Sequence, residues 1–327
     1  GMQLTTGVFW TDTCEAQVGL DPRVGVSLDG LDLKELQLVD SLTRPHTDAE
    51  LSARAQAAGI SPHRLRTILA MLTRAGVLDP EPSPLPDAIA SRRIHGTVPN
   101  RMGHHVHIHR ADYLGAGIAI ALARCGVGRI TTNDDAVVTF NDHPAMRRMG
   151  VGVDRRAALK TLIRQENPHV FAGTRTSSPP DLTIVTGTFA TDPVTVGQYA
   201  AEQVPVYQAW IEEVNIYAGP LTIPHRTACA NCLMLHRKSL DPNWSSLIQQ
   251  ACATPALLPD TGSAMLAMSL AVRDIIEALD TDRVPHMWRI GPAPLAPEPI
   301  VLQPHPECGC ARLVGVDDLA DPPARIH

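Results

Sequence analysis

Four cysteines in two close pairs set the tightest limit on how this 327-residue chain folds. Cys229-Ala-Asn-Cys232 supplies one pair, and His305-Pro-Glu-Cys308-Gly-Cys310 supplies the other about 75 residues later. A C-x-x-C pair answered by a C-x-C pair can close a tetrahedral thiolate site for zinc. All four ligands come from the protein, which marks a structural site, because a catalytic zinc keeps one position open for water. Such a clip ties a C-terminal segment back onto the domain body. It supplies on the order of 10–16 kcal/mol of apparent binding energy, much of it expressed as folding. Two disulfides, or four thiols with no ligand role, are the other readings of this spacing.

The length allows two domains and a sizeable core. Hydrophobic content of 44% and charged content of 19% fit a globular chain, and the net charge of −6 argues against general nucleic-acid affinity. Seven cysteines, four of them in metal spacing, suit a reducing compartment. Gly1 before Met2 reads as a cloning remnant. The chain shows no signal peptide and no apolar run approaching about 18 residues, so a cytoplasmic protein without a membrane partner is expected.

Residues 3–30 read as short strands over Gln3–Trp10, Ala16–Asp21 and Gly25–Asp29, with turns at Asp21-Pro22 and Asp29-Gly30. Helical spacing follows over Asp32–Leu42. A second helix opens with the capping box Thr47-Asp-Ala-Glu50 and stops near Gly59. A third opens with Ser61 and Pro62, buries Leu65, Ile68, Leu69 and Leu72, and ends before Gly76. This is a winged-helix-like module of residues 1–80. Arg64, Arg66 and Arg74 on its third helix raise the question of DNA. The module carries seven basic against ten acidic residues, however, and phosphate contacts dominate DNA affinity. The arginines therefore read as a solvated face.

The strands precede the helices. In that order, Val18-Gly-Leu-Asp-Pro, Val26-Ser-Leu-Asp-Gly30-Leu and Leu69-Ala-Met-Leu72-Thr-Arg-Ala-Gly76-Val-Leu78 resemble the PqqD-like recognition element of enzymes that modify ribosomally made peptides. The resemblance implies that a leader peptide adds a strand to the small sheet and packs against the third helix. Gly25–Asp29 and Pro62–Arg74 would then form the groove.

Asp79-Pro-Glu-Pro-Ser-Pro-Leu-Pro holds four prolines in eight residues, and residues 81–100 read as a semi-rigid linker. In the second domain, 101–327, His105, His107 and His109 alternate with Val106 and Ile108, which describes a strand with one polar face. Leu114-Gly115-Ala-Gly117-Ile-Ala-Ile120 reads as a glycine turn leading into a helix. Gly126-Val-Gly128 and Asn133-Asp134-Asp135 follow as the next strand with an acidic end, opening a Rossmann-like nucleotide-binding unit.

This spacing, with Asn141, Asn167-Pro168, Asp181-Leu-Thr-Ile-Val and Gly219-Pro-Leu-Thr-Ile-Pro before Cys229, resembles the ThiF family of ubiquitin-activating-type adenylyltransferases over residues 103–311. Cys232-Leu-Met-Leu-His-Arg237, Asp241-Pro-Asn-Trp244 and the His305–Cys310 ending resemble the ThiF-like leader-binding proteins of azole-forming peptide clusters. The resemblance implies an ATP and Mg²⁺ site at Gly115, Gly117, Asn133 and Asp135. Several required groups are altered. The third glycine position holds Ile120, and the ribose-binding acid is Asn133. The family's arginine is missing from the run Asn141-Asp-His143-Pro144-Ala145. Arg155 stands at the catalytic lysine position and Thr188 at the Mg²⁺-binding aspartate, with Asp192 four residues on. Cys252 is the one candidate thioester cysteine, and an inert thiol is the plainer reading. Together the departures favour a site that no longer adenylates.

The expected fold class is α/β: a Rossmann-like ThiF-type domain with a zinc clip, preceded by a small α+β winged-helix-like domain. The expected function is recognition of a precursor leader peptide and its presentation to a YcaO-type cyclodehydratase, a partner implied by the resemblance. Homodimerisation, also implied by resemblance, would use surfaces such as the Ala/Leu/Met-rich helix Thr261–Leu279. The alternatives are a working adenylyltransferase acting on a peptide or sulfur-carrier carboxylate, in which Arg155 and Asp192 would serve catalysis, and a nucleotide-sensing winged-helix regulator.

Overall fold

The computed structural model describes residues 1–81, 86–292 and 296–312. The chain divides into two compact units, 1–99 and 100–327. In the first, β2 (Val8–Asp12), β3 (Glu15–Val18) and β4 (Val26–Ser27) form an antiparallel sheet in that order, while β1 (Gln3–Leu4) pairs with β5 (Leu78–Asp79). Helices α1 (Leu33–Ser41), α2 (Asp48–Ala57) and α3 (Pro62–Arg74) pack around Val18, Leu36, Val39, Leu51, Ile68 and Leu72.

Local chemistry explains each helix start. Asp32 and Thr47 make reciprocal capping boxes with Glu35 and Glu50, and the Ser61 hydroxyl accepts from the Arg64 amide ahead of Pro62. Arg64 keeps 41% of its side-chain surface exposed but is ion-paired. Its Nε donates to Glu35 at 2.6 Å and its Nη2 to the Gly30 carbonyl at 3.0 Å, fastening α3 to α1 and to the loop after β4. Arg66 and Arg74 are exposed. The segment expected as an extended linker instead contains helix α4 (Pro86–His95), because a proline that blocks a helix interior is at home in a first turn. Residues 82–85 of that segment lie outside the described residues.

The second unit is built on a sheet of eight described strands. In chain order these are β6 (His105–Ile108), β7 (Arg129–Thr132), β8 (Phe171–Gly173), β9 (Leu182–Thr188), β10 (Val206–Glu212), β11 (Asn215–Thr222), β12 (Met287–Ile290) and β13 (Glu298–Ile300). They lie side by side as β13-β12-β11-β10-β9-β6-β7-β8; β8 to β10 run parallel and β11 to β13 extend the sheet antiparallel. The chain runs outward through β6, β7 and β8, then returns to start β9 on the other side of β6. The carboxyl ends of β6 and β9 therefore flank a topological switch point, where open α/β sheets place ligands.

Helices α5 (Tyr113–Arg124), α7 (Arg155–Glu166) and α11 (Thr261–Thr281) share one core with the strands, centred on Ile108, Ile118, Leu122, Ile130, Leu159 and Ile275. The Ala-rich stripe of α11 is spent in that core, with Ala264, Ala267 and Ala271 buried. A short α6 (Pro144–Met149) precedes α7. Helix α8 (Pro193–Ala201) packs Val196 and Tyr199 on Val185 and Val206. Helices α9 (Ala230–Leu240) and α10 (Trp244–Ala253) complete the set of α-helices among the described residues. None is long and apolar enough to cross a membrane.

Candidate functional site

The switch point is built by the turn between β6 and α5, residues 109–112. Asp112 ends it as the N-cap of α5. Its Oδ1 accepts the Gly115 amide at 3.1 Å, and the Thr186 hydroxyl at the end of β9 lies 2.8 Å from both carboxylate oxygens. Burial pushes this carboxyl above its ordinary pKa, against the pull of those donors. The glycine pair read as a phosphate turn is therefore not a turn: Gly115 and Gly117 lie inside α5, as does Ile120. A Cβ on Gly115 would stand 2.0 Å from the Arg110 carbonyl oxygen, so glycine is needed for close helix packing. A Cβ on Gly117 would meet Met268 and His143. A dinucleotide cradle needs glycines for a tight turn and for approach of the pyrophosphate as well as for packing. Here His109, Arg110, Ala111 and Asp112 fill the turn, and only the packing role falls to a glycine.

A second carboxylate closes the turn from β7. Asp134 Oδ2 accepts the Ala111 amide at 2.8 Å and Arg155 Nη1 at 3.2 Å. Arg155 also grips Asp142 through Nε at 3.1 Å and Nη2 at 2.6 Å. All three side chains are nearly fully buried. Arg155 is thus tied to two acids of its own chain instead of being presented to a phosphate. Sequence reasoning missed Asp112, Asp134 and Asp142 as site residues. A helix-start signal, aspartate three residues before Gly115, would have found the first.

The remaining expected residues are dispersed. Asn133 is exposed at the tip of β7, where its Oδ1 accepts the Arg175 amide at 2.9 Å, and Asp135 is exposed beyond it. Asp192 caps α8, accepting from the amides of Val194 and Thr195 and, at 2.6 Å, from the Thr195 hydroxyl. Partial burial opposes ionisation there, but those donors hold the carboxyl below its ordinary pKa. Cys252 is an exposed thiol on α10.

His105 and His107 lie on β6 and His109 in the turn that follows it, with Tyr199 of α8 against His107 and His109. His105 Nε2 and His107 Nδ1 lie 2.8 and 2.9 Å from the Thr131 hydroxyl, and His109 Nδ1 lies 3.0 Å from the Tyr199 hydroxyl. Burial lowers the His107 pKa to about 3, which keeps the imidazole neutral. Each ring thus has a hydrogen-bond partner within the fold.

Among the described residues, metal-ligating atoms converge at Cys229, Cys232, Cys308 and Cys310, whose sulfurs all lie within 4.8 Å of one another. Separations of 3.8, 3.5 and 3.1 Å for three of the pairs lie at or somewhat below the edge of about 3.8 Å expected for a tetrahedron with Zn–S bonds of about 2.3 Å. Cys229 is the N-cap of α9 and Cys232 lies in its first turn, while the other pair enters from the C-terminal segment. Asn231 Nδ2 donates to Cys308 Sγ at 3.4 Å. Soft thiolates in this geometry can hold a zinc ion.

No protein-family model and no curated protein matches the sequence. Solved structures similar in fold include E. coli MccB, at 13% identity over 100% of this chain and 99% of that one, with a TM-score of 0.60. The microcin C7 biosynthetic enzyme MccB in complex with N-formylated MccA (14% identity, 95% and 99% coverage) gives 0.59. E. coli MccB with ATP (14%, 95% and 99%) gives 0.58, and PaaA (14%, 91% and 98%) gives 0.61. At these identities the likeness is one of fold: the chain is an α/β protein with the architecture of MccB.

Proposed function

We propose that this chain recognises a ribosomally made precursor peptide through its N-terminal module and presents it to a partner enzyme, with the MccB-like unit serving as a zinc-clipped scaffold. One observation carries the scaffold reading: the anion position at the start of α5 is filled by the Asp112 carboxylate. Phosphate binding at a helix N-terminus needs free amides and positive potential. Here Asp112 takes the Gly115 amide, and Asp134 and Asp142 neutralise Arg155. The peptide reading draws support from the fold neighbours, since MccB structures hold MccA. It also draws on β4, which pairs only with β3 among the described residues and leaves an edge for strand addition. The partner suggested by sequence resemblance is a YcaO-type cyclodehydratase, and the metal suggested by the thiolate set is zinc.

Calorimetric titration with MgATP tests the scaffold reading directly. No binding up to millimolar nucleotide is expected. Micromolar binding would overturn it in favour of a working adenylyltransferase, the activity for which a fold neighbour with bound ATP offers a precedent. In a second arm, a synthetic peptide of any short precursor reading frame found beside the gene should bind the full chain, and Val26→Pro should weaken it without altering the MgATP result. A precursor that fails to bind would remove the peptide reading.

A further inference from the structure

The sulfurs of Cys229, Cys232, Cys308 and Cys310 are packed among Ala228, Leu235 and Leu302, and Cys232 and Cys308 are buried. A zinc ion held there sets two positive charges against four negative ones, so the centre keeps an excess of negative charge. In carbon surroundings such a charge is costly unless hydrogen bonds satisfy it. Donors just outside a metal's ligands do this, and they also fix where the ligands stand.

Asn231 is such a donor. It lies in the first turn of α9, between the two ligands of the first pair, and its Nδ2 stands 3.4 Å from Cys308 Sγ, a ligand of the second pair 77 residues on. That length suits sulfur, whose radius exceeds that of oxygen. The amide can face a metal-bound thiolate in one way only. Such a thiolate has no proton to give, so the amide nitrogen approaches it and the amide oxygen does not. Helix formation gives no competing reason for asparagine here. It is a poorer helix former than alanine, and the N-cap of α9 is Cys229, which makes no side-chain cap bond. Asn231 is also exposed, so its replacement leaves the packing around the sulfurs in place.

We propose that Asn231 is a positioning residue of the metal site: its amide holds the Cys308 thiolate against the start of α9, joins the two cysteine pairs, and strengthens metal retention. The inference rests on the zinc reading of the four cysteines and is independent of the peptide reading.

The test uses the full chain loaded with zinc or with Co²⁺, a coloured stand-in for zinc. Competition with a chelator of known affinity should show Asn231→Ala binding either metal roughly tenfold more weakly, the lower end of what replacing such outer groups does. Asn231→Asp, of equal size but with a carboxylate in place of the donor, should bind more weakly still. In the Co²⁺ protein the sulfur-to-metal charge-transfer band of Asn231→Ala should move to lower energy, because a thiolate that loses a hydrogen bond holds its electrons less tightly. The bands that report a tetrahedral site should keep their pattern. The metal-free forms separate positioning from a structural role. Alanine favours a helix, so metal-free Asn231→Ala should unfold at or above the midpoint of the metal-free parent. A lower midpoint would mean that Asn231 serves the helix instead of the metal, and would overturn the proposal. Equal affinity with an unmoved charge-transfer band overturns it as well, and leaves the zinc reading standing. A parent that takes up neither metal removes the zinc reading and this inference together.

Discussion

Asp274 shows what burial does to a single residue. Its carboxylate sits on α11 beneath β10 and β12, accepting the Tyr207 hydroxyl at 2.7 Å and Trp288 Nε1 at 3.1 Å. Burial raises its pKa to about 6, against the lowering effect of those two donors. Between about pH 4, where an unfolded aspartate titrates, and pH 6 the folded chain thus holds a proton that the unfolded chain has released. The folded state binds more protons across that window, so stability is greatest below it and falls as the pH rises through about 6. At about 1.4 kcal/mol per pH unit the loss approaches 3 kcal/mol at most. Asp274→Asn keeps an acceptor for both donors and removes the titration. Urea unfolding of the two proteins at pH 4 to 8 should show the variant gaining on the parent by about 2–3 kcal/mol as pH rises. A difference that stays flat with pH would show that Asp274 ionises normally. The same blindness to burial explains why the decisive residues of the candidate site were hard to read. Arg155 was visible as a cation at a suggestive position, but its engagement by Asp134 and Asp142, 21 and 13 residues earlier in the chain, depends on the fold bringing three elements together.

Elements whose signals are local were legible. The capping boxes at Asp32 and Thr47 and the Ser61-Pro62 start span three or four residues, and each helix begins where its cap stands. The beginning of α5 was misplaced because glycine was read as a turn former, whereas Gly115 is there to admit the Arg110 carbonyl against the helix. Two substitutions separate these uses of glycine. Gly115→Ala would drive a methyl to 2.0 Å from a backbone oxygen that the turn and Asp112 hold in place. It should destabilise the second unit by at least about 2 kcal/mol, as overpacking against backbone does. Gly197→Ala, at an exposed position of α8 with no atom within 4 Å of the added carbon, should stabilise by about 0.5–1 kcal/mol through helix propensity alone. Thermal unfolding of both variants checks the pair. Equal effects would mean that the β6–α5 turn yields freely, and its closed geometry could no longer be held against nucleotide binding.

At the scale of the whole molecule, the strand, helix and strand signals over residues 105–135 announced a Rossmann-like α/β unit. The switch point between β6 and β9 could not be read, because strand order is set by pairing between distant segments. The cysteine spacing carried the most distant information, joining the start of α9 to a segment about 75 residues later. A metal that closes so long a loop removes more unfolded-state freedom than one closing a short loop. Protein purified without chelator should carry about one zinc per chain by elemental analysis, as a four-thiolate site requires. Removing the metal, or replacing Cys308 or Cys310 by serine, should release the C-terminal segment and lower Tm. A loss of even about 3 kcal/mol corresponds to roughly 6–12 °C in a unit of this size. Serine at position 310 is the sharper probe, because Cys310 is less buried than Cys308 and its replacement perturbs packing least. Chelation should reproduce the melting point of this variant, and added zinc should restore the parent alone. If the parent instead carries no metal, melts unchanged in chelator and has a mass lower by four hydrogens, the sulfurs are paired as two disulfides, and the clip is covalent.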